Sequence, residues 1–306
     1  MFTLGIDTSN YATSVAVVDN INHKVVYHEK RFLPVEQGKI GLRQQQAVFE
    51  HIRNLTDIFA EFKAEGIGAV GVSAKPKNEE NSYMPCFLTG KMCAQAIASS
   101  LSVPLIETSH QTGHLMSALF DINKEELFNE NILMLHVSGG TTDIMLAKDG
   151  QVINTLGSSL DLFAGQAVDR LGVRLGFPFP AGQYVSQLAE KCDDKINVKV
   201  SVKDCNCNLS GLENQCDKLL KEGYSKEYVC KYCLTFIAQT LIKMIANARK
   251  EFGKLPVVFA GGVMSSSVIK SIVTAGIPDA MFVQPMFSRD NAIGVAVNAY
   301  RKVKNG

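Results

Sequence analysis

The 306-residue chain has no apolar run that reaches the ~18 consecutive residues a helical membrane span needs. It also has no excess of either charge. Lys and Arg number 31 and Asp and Glu 30, for a net charge of +1. That balance gives no electrostatic reason for strong non-specific nucleic-acid binding, though a local basic patch stays open. The opening MFTLGIDTSNYATSVAVVDN lacks the basic flank of a signal peptide, and Asp7 interrupts its apolar stretch. The expected location is the cytoplasm, where the eight cysteines would be thiols or ligands rather than disulfides. The composition of disorder is missing too, with 46% hydrophobic and 20% charged residues.

What is present is length for two domains and a repeated α/β pattern. Residues 3–7, 14–18 and 24–32 are β-branched or alternating runs separated by polar turns. Residues 40–63 carry apolar side chains at helical spacing (Leu42, Val48, Ile52, Leu55, Ile58, Phe59). A strand at 67–74, a helix at 88–101 and a strand at 104–108 follow. The order then recurs, with strands at 132–137, 143–148 and 151–156 and helices around 163–175, 183–191 and 226–252. Strands at 257–260 and 281–284 and a helix at 290–302 complete it. The repeat predicts two related α/β lobes, 1–120 and 121–306, with a ligand cleft between them. Residues 120–131 are the expected boundary, and polar residues 192–214 an insertion loop.

Three turns suit a ligand. Gly5-Ile6-Asp7-Thr8-Ser9 ends the first strand with an acid and hydroxyls that fit a hydrated metal ion or phosphate. Taken alone, a plain hairpin turn explains it better. Val137-Ser138-Gly139-Gly140-Thr141 holds the same place in the second lobe, and that equivalence favours a shared ligand. Gly261 and Gly262 follow a strand, where a base or ribose could lie over them; a tight strand-to-helix connection explains them equally well.

The sharpest signal is Ser109-His110-Gln111-Thr112-Gly113-His114. Two of only six histidines stand at i and i+4, on one helix face, where both can bind one metal. No Glu follows His110, so the general base of the HExxH zinc proteases is absent. Further ligand candidates are His136, before the Gly-rich turn, and Asp290, read as opening the last helix. Cys205, Cys207, Cys216, Cys230 and Cys233 form a weaker cluster with a CxxC pair. Core packing is the favoured reading, because Cys230 and Cys233 fall in an amphipathic helix.

Together the segments SHQTGHL, LHVSGGTTDI, LGSSLDLFAGQAVDRLGVRLGFPFPAG, NLSGL, VVFAGGVMSSS and SRDNAIGVA resemble the TsaD family across nearly the whole chain. These are bacterial tRNA threonylcarbamoyltransferases with relatives in the KEOPS complex, formerly classed as glycoproteases. The resemblance implies the actin-like ATPase (ASKHA) fold, two duplicated RNase H-like lobes with an interlobe cleft. It implies His110, His114 and Asp290 as ligands of one divalent transition metal, iron or zinc, with His136 as a fourth. Magnesium is an accessory candidate. It places Asp7, Ser9, Val137, Ser138, Gly139, Gly140, Thr141, Asp169, Gly182, Gly261, Gly262 and Ser266 at an adenine nucleotide or threonylcarbamoyl-AMP. Asp169 would meet the ribose and the two later glycines the base. The implied reaction moves the threonylcarbamoyl group to adenosine of tRNA, with a TsaB-like protein as a candidate partner. Two motifs depart from the family. Its S-C-D-E-T-S turn is Ser9-Asn10-Tyr11-Ala12-Thr13-Ser14 here, and its Arg-Gly-Pro-Gly loop is Ser73-Ala74-Lys75-Pro76-Lys77-Asn78-Glu79-Glu80. The alternatives are a divergent paralogue with another carbamoyl substrate or acceptor, and a non-catalytic partner subunit.

Overall fold

A computed structural model describes residues 1–9, 12–34 and 42–306. It divides into two compact units. Residues 1–128, 150–152 and 287–306 form the first, and residues 129–149 and 153–286 the second.

The first unit opens with the β-branched strands β1 (Phe2–Asp7), β2 (Ala12–Asp19) and β3 (Lys24–Phe32). It continues through α1 (Gln44–Glu61), β4 (Ile67–Lys75), α2 (Phe87–Leu101), β5 (Leu105–Ser109) and α3 (His110–Ile122). The sheet order is β3-β2-β1-β4-β5. The first three strands are antiparallel, and β4 and β5 run parallel to β1. Alternation along the strands sorts two faces. Leu4, Ile6, Val15 and Val17 pack with Leu55 and Ile58 of α1 and Ala94 and Ala98 of α2. The opposite face carries Thr3, Gly5 and Asp7, and against it lies the final helix α10 (Ile293–Asn305). Thr3 Oγ1 donates to Ala296 O at 2.9 Å. A Cβ at Gly5 would sit 2.2 Å from Ala292 O, and one at Gly71 2.5 Å from Val295 O. The two glycines therefore let the helix backbone rest on the strands.

The second unit repeats the plan with β6 (Ile132–Val137), β7 (Thr142–Lys148), β8 (Gln151–Ser158), α4 (Ala164–Arg174) and α5 (Gly182–Ala189). The short pair β9 (Val202–Lys203) and β10 (Asn206–Cys207) precedes α6 (Ser210–Lys221), α7 (Lys226–Phe252), β11 (Val257–Ala260), α8 (Ser267–Gly276), β12 (Ala280–Phe282) and α9 (Pro285–Ser288). Its sheet order, β8-β7-β6-β11-β12, is that of the first sheet with β6 in the place of β1. Leu133, Leu135 and Val137 of β6 pack with Leu171, Val185, Phe236 and Leu241 in the core. Among the described residues α7 is the one helix long and apolar enough to cross a membrane. Two-thirds of its most apolar window, 67%, is buried, and it serves as the central core helix.

The structure departs from the sequence expectations in several places. The last helix belongs to the first unit, not to a lobe running from 121 to 306, because Gly5 and Gly71 receive it there. The expected helix at 40–63 is α1, from Gln44; residues 40 and 41 lie outside the described set. The expected loop at 192–214 contains β9, β10 and the start of α6. Asp161 gathers that region. Its carboxylate accepts from the backbone N–H of Leu162 (2.6 Å), Leu209 (2.7 Å) and Ser210 (3.2 Å). Burial alone would raise its pKa, but these bonds and that of the Ser210 hydroxyl hold it at about 2. All five clustered cysteines are buried in the second core. Burial pushes the thiols of Cys207 to about 11 and Cys230 to about 12, which keeps both as thiols at neutral pH.

His51 of α1 is fully buried, with Nδ1 2.8 Å from Thr13 Oγ1 and no partner for Nε2 among the described residues. Burial lowers its pKa from 6.5 to about 4. A proton on the imidazole would strand an N–H in the apolar layer, so the folded state excludes it while the unfolded chain accepts it. Stability is therefore full above pH ~6.5 and falls as pH drops through the window to ~4, by roughly 3 kcal/mol. Denaturant titrations at stepped pH check this. His51→Gln should flatten that part of the pH profile relative to the parent protein.

Candidate metal centre and glycine-lined turns

Ser109 ends β5 and caps α3, its Oγ accepting from Thr112 N at 3.1 Å. This cap fixes where the helix starts, so His110 takes its first position and His114 stands one turn on. The two Nε2 atoms are 3.0 Å apart, and Asp290 Oδ1 lies 3.5 Å from that of His110 and 3.3 Å from that of His114. Asp290 does not open the last helix. It sits in the bend between α9 and α10, three residues before Ile293. Asn291 braces that bend: its Oδ1 accepts from Ser117 Oγ at 3.1 Å and Ile293 N at 3.0 Å, and its amide donates to Phe287 O at 3.3 Å.

Asp7 completes the cluster. It is 1% exposed, with Oδ2 accepting from His110 Nδ1 at 2.9 Å and Oδ1 from Ser9 N at 3.0 Å. From the sequence, the Asp7 turn fits a hydrated ion or phosphate, with a plain hairpin turn the better explanation when it is taken alone. The structure makes Asp7 the partner that orients the His110 ring, and no spacing rule links residues 7 and 110.

Electrostatics follow from burial. Desolvation alone would lower His110, but the Asp7 charge and the hydrogen bonds to Asp290 and Asp7 outweigh it and raise its pKa to about 10. Burial and the neighbouring His110 charge lower His114. Burial would raise Asp290, yet bonds from both histidines hold it well below the carboxylate range.

The donor set fits a metal ion. Ligands ~2.0–2.1 Å from a tetrahedral ion stand about 3.3–3.4 Å apart, and the observed edges are 3.0, 3.3 and 3.5 Å. His110, His114 and Asp290 are the one such group of three among the described residues. A carboxylate on the far nitrogen of a ligating histidine is the usual outer support, and Asp7 occupies that place. His136 is not in the group. It belongs to the second unit, on β6, with Nδ1 3.3 Å from Thr141 Oγ1.

The second unit places the other candidates around the end of β6. Residues 138–141 form a hydrogen-bonded turn into β7, with Ser138 N donating to Thr141 O at 2.8 Å and Ser138 Oγ accepting from Gly140 N at 3.2 Å. A Cβ at Gly139 or Gly140 would meet nothing within 4 Å. Gly261 is different. It has φ +104°, and a Cβ there would lie 2.1 Å from Val137 O, so the protein itself requires glycine. Gly262 opens the turn that follows and faces open space. Asp169 on α4 accepts from Ala181 N at 2.7 Å and from Gly182 N, which fixes the start of α5, and burial raises its pKa. Ser266 caps α8 and pairs with Ser186 Oγ at 2.8 Å, so its hydroxyl is engaged within the protein. In the first unit, Ser9 Oγ is buried without a hydrogen-bond partner among the described residues. Asn10 and Tyr11 of the first turn lie outside those residues.

One contact sets the distance between the histidines and Asp290. Gly294 of α10 crosses Gly113 of α3, and a Cβ at Gly294 would lie 1.8 Å from Gly113 O and 2.5 Å from Ser117 N. Gly294→Ala should force the helices apart, at a cost of about 1–3 kcal/mol or more, and spread the three donors. We expect a lower thermal midpoint and reduced metal uptake by elemental analysis. Gly139→Ala, in open space, should change neither.

Comparison with known proteins supplies the family. The sequence model described as tRNA N6-adenosine threonylcarbamoyltransferase, TsaD, matches residues 83–297. A protein of that name from Neorickettsia sennetsu is 27% identical, with 99% of this chain and 94% of the relative covered. One from Thermosipho africanus is 26% identical over 100% and 96%. Among solved structures, component A of the Acidaminococcus fermentans (R)-2-hydroxyglutaryl-CoA dehydratase is similar in fold. Its TM-score is 0.59 at 16% identity, covering 99% of both chains. The fold is that of the actin-like ATPases, and the chain belongs to the TsaD family of tRNA N6-adenosine threonylcarbamoyltransferases.

Proposed function

We propose that this protein transfers a threonylcarbamoyl group from threonylcarbamoyl-AMP to adenosine of tRNA, in the cytoplasm, using one divalent transition metal. The observation that carries the reading is the His110–His114–Asp290 triangle with Asp7 behind it, in a member of this family. Iron and zinc both suit two imidazoles and a carboxylate. When bound, the ion supplies Lewis-acid polarisation of the carbamoyl carbonyl. The chain's own residues do the rest. Asp7 fixes the His110 ring, Asn291 and Gly294 hold Asp290 in place, and burial excludes water from His114. In the second unit we assign the nucleotide to the open backbone of Gly139 and Gly140, with Asp169, Gly182, Gly261 and Gly262 shaping the wall beside it. In the first unit we assign a ligand contact to the Ser9 hydroxyl, which is buried without a hydrogen-bond partner among the described residues.

A TsaB-like partner fits the first unit. Its helices α1 and α2 cover one face of the sheet and expose Phe49, Ile52, Leu88 and Met92. A second reading, a paralogue with another acceptor, is favoured by one position. Ala12, in the turn where the family carries its acidic pair, is buried on β2 and offers no carboxylate.

Complementation decides between the two. In a strain depleted of its own TsaD, this chain should restore threonylcarbamoyladenosine in tRNA; expressed, folded protein without restoration would select the paralogue. The metal is tested separately. His110→Ala should lose most bound metal, and Asp7→Asn should weaken metal affinity about 10–100-fold, both read by elemental analysis and competition titration. Because His110 holds its proton up to about pH 10 without metal, metal binding should release a proton near neutrality. Calorimetry in buffers of different ionisation enthalpy reads that proton, and metal affinity should rise with pH.

A further inference from the structure

A row of side chains crosses the first sheet beside the triad. Asp7 on β1 is registered with Ser14 on β2, and Ser14 with Lys30 on β3. Directly opposed residues on antiparallel strands point to the same side, so Lys30 shares the face of Asp7. Two contacts anchor the row there. Ser14 Oγ accepts from Ala292 N at 3.0 Å, two residues after Asp290, and lies 3.3 Å from His28 Nε2, the neighbour of Lys30 on that face.

Lys30 is half-buried, and among the described residues its ammonium has no carboxylate in ion-pair range. Instead it rests over the Phe32 ring, 4.7 Å from the centroid. Charges that act on it belong to the triad's surroundings. Burial lowers its pKa, Asp290 and Asp7 counter that, and Arg289 reinforces it. An edge strand often carries lysine simply to block pairing, but such a lysine points to solvent. Here a half-buried cation on the face of Asp7, without an ion-pair partner among the described residues, feels the charge of a second cation, Arg289, at a site whose two carboxylates are already engaged by histidines. That is the electrostatics of a place for an anion.

We propose that Lys30, with Arg289 as its neighbour, binds an oxyanion group of the ligand beside the triad, a carboxylate or a phosphate. This rests on the transferase reading, in which the acyl donor carries both: the carboxylate of its threonyl part and the phosphate of AMP. Lys30 is then a ligand-binding residue separate from the metal ligands.

The test uses metal-loaded full-length protein, Lys30→Met, which keeps the stem, and Lys30→Arg, which keeps the charge. Calorimetry measures affinity for threonylcarbamoyl-AMP, AMP and inorganic phosphate, with metal content checked in each. Lys30→Met should weaken threonylcarbamoyl-AMP about tenfold or more, as expected for a lost charge-assisted bond, and Lys30→Arg should recover most of that, at unchanged metal content. An equal loss for AMP and phosphate identifies the phosphate as the anion; a loss confined to threonylcarbamoyl-AMP identifies the carboxylate. If the parent protein binds no threonylcarbamoyl-AMP, the transferase reading falls, and the phosphate measurement still decides Lys30. Affinities within twofold of the parent for every ligand overturn the proposal, as does a parent protein that binds none of the three. Loss of metal from folded Lys30→Met overturns it too, because the lysine would then serve the triad and not the ligand.

Discussion

The first unit depends on how closely one helix backbone approaches its neighbours. Helix α10 lies on β1 through Gly5, on β4 through Gly71 and, through its own Gly294, against Gly113 of α3, and Gly5, Gly71 and Gly294 leave no room for a Cβ. Dense interiors transmit such constraints, since packed elements cannot shift independently. The residues just before α10 are therefore placed by backbone contacts, not by side-chain adjustment. Asp290 lies in that segment, and Gly113 stands between the two histidines on α3. The distance from Asp290 to His110 and His114 is thus a property of the helix crossing, and the candidate centre inherits its rigidity from four glycines that hold no ligand.

Much of this was legible in the sequence and some was not, for identifiable reasons. The strand at 24–32 and the helix at 226–252 were expected with the bounds they have, because alternation and helical spacing are strong over long runs. The histidine pair was legible because i, i+4 spacing is local. Asp290 was found through its motif, but its setting was misjudged: the apolar pattern of the last helix says nothing about the bend that precedes it. Asp7 was named from the sequence, but its contact with His110 was not. An acid at a strand end looks the same whether it faces solvent, phosphate or a buried imidazole, and only the pairing of β1 with β4, and of β4 with β5, brings it to His110. Helix α6 was missed because its polar sequence follows an irregular stretch, and Asp161, 48 residues before Leu209, supplies the hydrogen bonds that start it.

The same electrostatics that orient the cluster also make it compete with protons. A buried imidazole between two carboxylates is stabilised as a cation, which is why His110 holds its proton to about pH 10 while His114 beside it is driven the other way. The pair is asymmetric before any ion arrives. A divalent ion would replace one proton and satisfy the same two carboxylates with more charge, and the 3.0 Å approach of two ring nitrogens, awkward for two imidazoles alone, becomes an ordinary ligand edge. The Asp7 contact serves both states, since Nδ1 donates to it whether Nε2 holds a proton or a metal.

The second unit separates glycines that the protein needs from glycines that it does not. At Gly261 a side chain would strike the Val137 carbonyl, and at Gly165 it would lie 2.6 Å from Gly139 N, so both are explained by the fold alone. Gly139 and Gly140 have no such neighbour and no positive φ. Folding gives no reason for bare backbone at these two positions, at the head of the strand equivalent to β1. The turn itself is a hairpin connection, as the plainer reading of Gly-Gly had it, and any short polar residues could build it. What a hairpin does not require is the exposure of two consecutive peptide units without Cβ cover. A ligand that approaches the backbone does require it, and the requirement coincides with the position that the duplicated sheet order assigns to the counterpart of the Asp7 turn.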